Sequence, residues 1–190
     1  MRLLRSGRWG VFLAAFFISV AHAQTEERLK VCAGCHGFDG NSTIAGTPSL
    51  AGQPKVFLEN YLVLTREGLR GTDVMRQLLK GISDREIVAL AAHYAKLAPR
   101  AQSIEMDKKL FEQGRAVAAK NRCGTCHLPD YHGREQMPRL AGQREDFLAE
   151  AMFAYQQNRR AGGDTIMAAS LYGIPAADIK ALAHYLARLR

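Results

Sequence analysis

Two five-residue segments carry the chemistry of this chain. Cys32-Ala33-Gly34-Cys35-His36 and Cys123-Gly124-Thr125-Cys126-His127 repeat one pattern, C-x-x-C-H, with the second copy 91 residues after the first. Two cysteines three apart on a helical turn point the same way, and a histidine one step on lies close to that face. Each thiol of such a pair can add to one vinyl group of a haem, and the imidazole can bind the iron from below. The spacing is the c-haem attachment signature. Other chemistries fit less well. A four-cysteine zinc site usually has its two C-x-x-C pairs closer in sequence, and gives no reason for a histidine after each. A thioredoxin-like redox pair belongs in a βαβ context, and no strand pattern occurs here. An even cysteine count in an exported protein normally suggests disulfides, but the flanking histidines point elsewhere.

The surroundings of the two segments also repeat. Pro48-Ser49-Leu50-Ala51-Gly52-Gln53 matches Pro138-Arg139-Leu140-Ala141-Gly142-Gln143. Met75 matches Met167, and Asp84 to Leu97 matches Ala176 to Leu189. The offset drifts between 90 and 92 residues while the order holds, as loop insertions and deletions would cause. One small module is therefore used twice.

Each module reads as helical, and the predicted class is all-α. In the first, Phe57, Tyr61 and Leu64 share a face of a helix beginning near Pro54. Ile87, Leu90, Ala91, Tyr94 and Leu97 form a 3-4 spaced stripe on another. Ser83-Asp84-Arg85-Glu86 has the form of a capping box at its start. In the second, Leu110, Phe111, Gly114, Val117 and Ala118 mark a helix leading into Cys123. Phe147, Leu148, Ala151 and Tyr155 mark a middle helix. Ile179, Leu182, Ala183, Leu186 and Leu189 mark a last one, with Pro175 near its first turn. Pro99 ends the first module, and the predicted domains are 24–98 and 107–190 with a linker at 99–106. A module of roughly 70–85 residues is small for a self-sufficient core, and a large apolar cofactor at its centre remedies that.

The first 23 residues read as a secretory signal peptide. Arg2, Arg5 and Arg8 precede the apolar run Val11 to Val20, and Ala21-His22-Ala23 supplies a cleavage site before Gln24. The run is short for a bilayer span, which needs about 20 residues. Cleavage lowers the formal charge from +8 to +5. Up to four haem propionates would offset most of the remainder. The basic composition therefore does not point to nucleic acid, which an exported protein rarely meets.

At this level of detail the chain resembles the dihaem cytochrome c4 family. The likeness rests on C-x-x-C-H-x-x-D-G at Cys32 to Gly40, P-x-L-A-G-Q at Pro48 to Gln53, and Met75 seven residues before Ile82-Ser83-Asp84-Arg85-Glu86-Ile87. The second copy supplies Cys123 to His127, Pro138 to Gln143, Met167 and Ile174 to Ile179. The resemblance implies two tandem class I cytochrome c domains with two haem c groups. It implies thioether bonds at Cys32, Cys35, Cys123 and Cys126. It also implies His36 and His127 as proximal iron ligands, Met75 and Met167 as distal ones, and Pro48 and Pro138 as carbonyl acceptors for the histidine N–H groups.

Three departures carry structural expectations. Eight residues precede Cys32 in the mature chain, so the first helix is predicted short. Asp130 is followed by Tyr131-His132-Gly133 rather than by glycine, so that loop is predicted to differ. Tyr185 in the last helix corresponds to His93, with Tyr94 one step later, so the helix contact there differs too. Other side chains compete as ligands and fit less well. Met137 follows His127 by ten residues but aligns with Thr47. Met106 and Met152 read as helix residues that pack. His93 and His184 lie within the last helices, and His132 follows the second motif too closely to reach the far side.

Iron with both axial positions filled has no open site for substrate, so the expected function is electron transfer. The expected setting is the periplasm. The chain would act as a shuttle from a quinol-oxidising complex or dehydrogenase to a terminal oxidase or other acceptor, as a monomer with peripheral membrane association. A cytochrome subunit of a dehydrogenase, such as a flavin-containing sulfide dehydrogenase, is the second reading. A dihaem peroxidase or sensor, which needs a vacant iron position, is the third. Arg66, Arg70 and Arg76, and Arg159 and Arg160, read as solvated basic faces. The sharper alternative is a patch that steers an acidic redox partner.

Overall fold

A computed structural model of the chain describes residues 25–102, 105–160, 162 and 165–190. The predicted signal peptide and its expected cleavage point lie outside them. Helix α1 covers 25–36. It is followed by α2 (Lys55–Arg66), α3 (Asp73–Leu79) and α4 (Asp84–Lys96). The second copy runs α5 (Lys108–Lys120), α6 (Gly124–His127), α7 (Glu145–Gln156), α8 (Thr165–Leu171) and α9 (Ala176–Ala187). Among the described residues the only β-pairing is an isolated bridge between Arg134 and Met137. No described helix is by itself long and apolar enough to cross a membrane.

Local chemistry sets the helix ends. The Ser83 hydroxyl accepts the Glu86 N–H while the Glu86 carboxylate accepts the Ser83 N–H, a complete capping box. Asp107 caps α5 by accepting from Lys109 and Leu110. Pro54 and Arg144, equivalent positions, hold the same extended backbone (φ −55° and −57°) before α2 and α7. Helix α1 runs unbroken through the first C-x-x-C-H, whereas in the second copy Arg122, at φ 54°, separates α5 from α6. Replacing Ser83 by alanine is expected to cost about 1 kcal/mol. Thermal unfolding of the holoprotein would register it as a fall of about 4–8 °C in the first-module transition.

Helix α1 packs on α4. Leu29 touches both apolar groups of the first module, one built on Leu79, Ile82, Ile87 and Leu90, the other on Leu58, Ala91 and Tyr94. The Arg28 guanidinium ties the pair, with Nε 3.2 Å from Glu86 and Nη1 donating to the Leu78 carbonyl at 2.9 Å. In the second module α5 and α9 cross against each other at Gly114. A Cβ there would lie 2.0 Å from the Ala181 carbonyl oxygen. Val117, Ala118, Ile179 and Leu182 belong to the core on which this crossing rests.

The modules meet along the loops that carry P-x-L-A-G-Q. Gly46 N–H donates to Asp146 at 2.8 Å, and Arg144 Nη1 donates to the Ser42 carbonyl at 3.2 Å. Arg70 Nη2 donates to the Tyr155 hydroxyl at 2.7 Å. Gln53 and Gln143 complete the seam, each bonded to backbone of the opposite module.

Candidate functional site

Each C-x-x-C-H presents one half-buried and one exposed thiol. Cys32 and Cys123 are half-buried, Cys35 and Cys126 exposed, and all four are free. Burial pushes the Cys32 and Cys123 thiols up from their ordinary value. No group of three or more His, Cys, Asp or Glu converges into a metal cluster among the described residues. The two cysteine pairs therefore do not combine as a four-thiolate site.

The histidines are held alike. His36 and His127 are 6% and 4% exposed. His36 Nδ1 lies 2.8 Å from the Pro48 carbonyl oxygen, and His127 Nδ1 lies 3.0 Å from that of Pro138. A carbonyl only accepts, so Nδ1 carries the proton and Nε2 presents its lone pair. Burial holds both imidazoles below the ordinary histidine value, against the carbonyls, which pull the other way. A neutral imidazole with a free Nε2 is a metal ligand. His127 Nε2 is buried with no hydrogen-bond partner, as are Nε of Arg70, Arg160 and Arg188. A buried polar atom left bare in this way is costly unless something binds it.

The methionines singled out by the repeat occupy matching short helices. Met75 lies in α3 and packs on the Leu79–Ile82–Ile87–Leu90 group. Met167 lies in α8 and packs on the second core. The residues just before them, Val74 and Ile166, are 66% and 67% exposed. Phe38, two residues after His36, and Tyr172, the residue after α8, are also exposed. Exposed apolar side chains thus flank both motif elements in sequence.

The competing histidines make other contacts. His184 is buried, with Nδ1 3.2 Å from Glu145, while its Nε2 accepts the Asp107 N–H. It joins the N-cap of α5 to α7 and α9. His132 lies against Asp130 and the Arg190 carbonyl. His93 packs edge-on to Tyr94. Met137 exchanges backbone hydrogen bonds with Arg134, and Met152 packs in the second core from α7, but Met106, expected in a helix, lies exposed in the segment before α5.

The arginine clusters differ from a free basic face. Arg66 pairs with Glu67 and Asp84, Arg76 with Asp73, and Arg159 with Glu150. Arg70 stacks on Tyr61, and Arg160 on Phe147 and Tyr155. The carboxylates beside Arg66, Arg76 and Arg159 offset their charges. Among the described residues this leaves the stacked Arg70 and Arg160 as the uncompensated members of the clusters, and a weak local field to steer a partner. Reduction by a charged partner is therefore expected to depend only shallowly on ionic strength.

One arrangement escaped the sequence. A tyrosine lies beside the first cysteine of each pair, but from a different element. In the first module it is Tyr94 of α4, which hydrogen-bonds Cys32. In the second it is Tyr131 of the loop, whose hydroxyl lies near Gly124 and bonds Tyr185. Burial pushes the Tyr131 hydroxyl up to about 12 and raises that of Tyr94 as well. Tyr131 takes the backbone place of Gly40. Both have positive φ, 58° and 72°, and both carbonyls accept the two N–H groups of the following Leu-Ala pair. Tyr131, standing where the first copy has Gly40, thus brings in a side chain that α9 does not supply.

These sites have counterparts in known proteins. The cytochrome c family model matches residues 111–190. Cytochrome c-554(548) of Halomonas halodenitrificans is 33% identical over 76 residues, 38% of this chain and 92% of that protein. The chain belongs to the cytochrome c family. A thiosulfate dehydrogenase electron acceptor of Thiomonas intermedia is 30% identical over 141 residues, 69% of this chain and 65% of that one. Among solved structures, reduced recombinant cytochrome c4 from Pseudomonas stutzeri matches with a TM-score of 0.80 and 26% identity, covering 88% of this chain and 98% of that one. This cytochrome c is therefore cytochrome c4-like. It has two class I cytochrome c domains in tandem, binds two haem c groups and transfers electrons.

Proposed function

We propose that this cytochrome is exported to the periplasm, with residues 1–23 removed and domains at 24–98 and 107–190 joined by 99–106. There it passes electrons from a quinol-oxidising complex or dehydrogenase to a terminal oxidase or other acceptor through two His/Met-ligated haems. The observation that carries the reading is the duplicated histidine setting: a buried imidazole oriented by a proline carbonyl, directly after two cysteines of which one is exposed.

In this reading Cys32 and Cys35, and Cys123 and Cys126, hold the haems by thioether bonds. His36 and Met75 ligate one iron, His127 and Met167 the other. When bound, each haem supplies a one-electron ferric/ferrous couple. The residues of the chain do the rest. Pro48 and Pro138 fix the imidazole planes and the tautomer. The apolar residues around Met75 and Met167 keep water off the pockets, and the methionine thioethers favour the reduced state.

A second reading is that the chain is the electron-accepting partner of a dehydrogenase. The relative from Thiomonas intermedia favours it, since that protein is described as a thiosulfate dehydrogenase electron acceptor. Size-exclusion of native extract separates the two: a free carrier elutes near its own mass, a subunit with its enzyme. Carbon monoxide added to the reduced protein at neutral pH tests the filled coordination. No spectral change is expected, and ready binding would assign a peroxidase or sensor instead.

A further inference from the structure

The seam between the modules contains a reciprocal pair. Gln53 and Gln143 occupy the same place in the two copies of P-x-L-A-G-Q, and each is 5% exposed. Gln143 Oε1 accepts the Ser49 N–H at 2.8 Å, and its Nε2 donates to the Ser49 carbonyl at 2.9 Å. Gln53 Oε1 accepts the Arg139 N–H at 3.0 Å, and its Nε2 donates to the Arg139 carbonyl at 2.9 Å. Ser49 and Arg139 are themselves equivalent, each one residue past the proline that faces a histidine.

The N–H of Ser49 and the carbonyl of Pro48 belong to one planar amide. His36 Nδ1–H donates into one end of that amide, and the other end donates to Gln143. In the other module His127 donates to the Pro138 carbonyl, whose amide ends on Gln53 through the Arg139 N–H. An N–H that gives a hydrogen bond polarises its own amide and makes the carbonyl a better acceptor. Buried chains of such bonds reinforce one another. A better acceptor on Nδ1–H makes the imidazole a more electron-rich ligand.

We infer that Gln53 and Gln143 are positioning residues that tune the reduction potential of the haem in the opposite module, each acting through the single peptide group between its side chain and the proximal histidine. The inference rests on His36 and His127 being the proximal ligands. An electron-rich histidine favours ferric iron, so each glutamine lowers the potential of the haem across the seam. Gln53 is the cleaner lever. Its neighbour Pro54 has no N–H, whereas Gln143 Oε1 also accepts from Arg144 at 2.9 Å.

The test is a redox titration of the full dihaem protein, with each haem followed by its own proton NMR resonances. Gln53→Leu should favour reduction of the second-module haem by up to about twofold in equilibrium constant. It should also move the His127 Nδ1–H resonance upfield, leaving the first haem and His36 unchanged. Gln143→Leu should do the reverse. Gln53→Glu, of the same shape, keeps an acceptor towards Arg139 and serves if leucine prevents folding. It should leave the second-haem potential at or below the wild-type value. A shift in the module that carries the substitution, equal shifts in both haems, no shift, or a raised potential in Gln53→Glu would each overturn the inference. Wild-type spectra without histidine-ligated haem would overturn the ligand assignment beneath it.

Discussion

Gly114→Ala is expected to destabilise the second module by about 3 kcal/mol or more. Helix propensity alone argues the other way, since alanine in a helix interior is better than glycine by about 1 kcal/mol. The sign is set by the crossing of α5 and α9. The new Cβ would lie 2.0 Å from the Ala181 carbonyl oxygen and 2.6 Å from Tyr185 Cβ. One of those atoms is backbone and the other is fixed to it, so neither can swing aside. The helices must part, and α9 carries the most deeply buried residues of the module, Ile179, Leu182 and Leu186 among them. Overpacking typically costs 1–3 kcal/mol, with larger values where backbone must move. At about 4–8 °C per kcal/mol for a domain of this size, the second-module transition should fall by about 12–24 °C. Calorimetry of the holoprotein measures it. An unchanged or raised transition would mean that the helices do not approach this closely.

Met167→His is expected to lower the potential of the second haem by on the order of 0.1–0.3 V, part of the ~0.8 V range that axial ligands span. A thioether favours ferrous iron, whereas a second imidazole donates more strongly and favours ferric. Met75→His should do the same to the first haem alone. The repeat makes the pair of variants informative, because each should move one wave of a two-wave titration and leave the other in place. If Met167→His moved neither wave, Met167 would be packing only, as its place on the second core also permits.

Much of this was legible in the sequence because the repeat supplies its own control. A single C-x-x-C-H is a short pattern, but the same pattern followed twice by proline, methionine and an apolar-striped helix fixes the order of elements. The stripe at Ile87, Leu90, Ala91 and Tyr94 gave α4, and Ser83 to Glu86 gave its start. The short helices α3 and α8 were not legible. Seven residues are too few for a periodic signal, and each depends on packing against the core. The exchange of Tyr94 for Tyr131 was hidden because aligned positions do not reveal which side chain refills a vacated space. The roles of Arg70 and Arg160 were hidden for a related reason: aromatic stacking is long-range in sequence, and a run of charges looks the same whether solvated or engaged. Gln53 and Gln143 were visible as repeated residues, but their partners lie in the opposite module.

Each C-x-x-C-H is expected to hold one covalent haem. Intact mass with a pyridine haemochrome spectrum, on protein produced in a host with cytochrome c maturation, tests it in one preparation. The expected result is the mass of Gln24 to Arg190 plus two haems, with a c-type spectrum. A chain of that length without haem, or with its cysteines joined as disulfides, would contradict it.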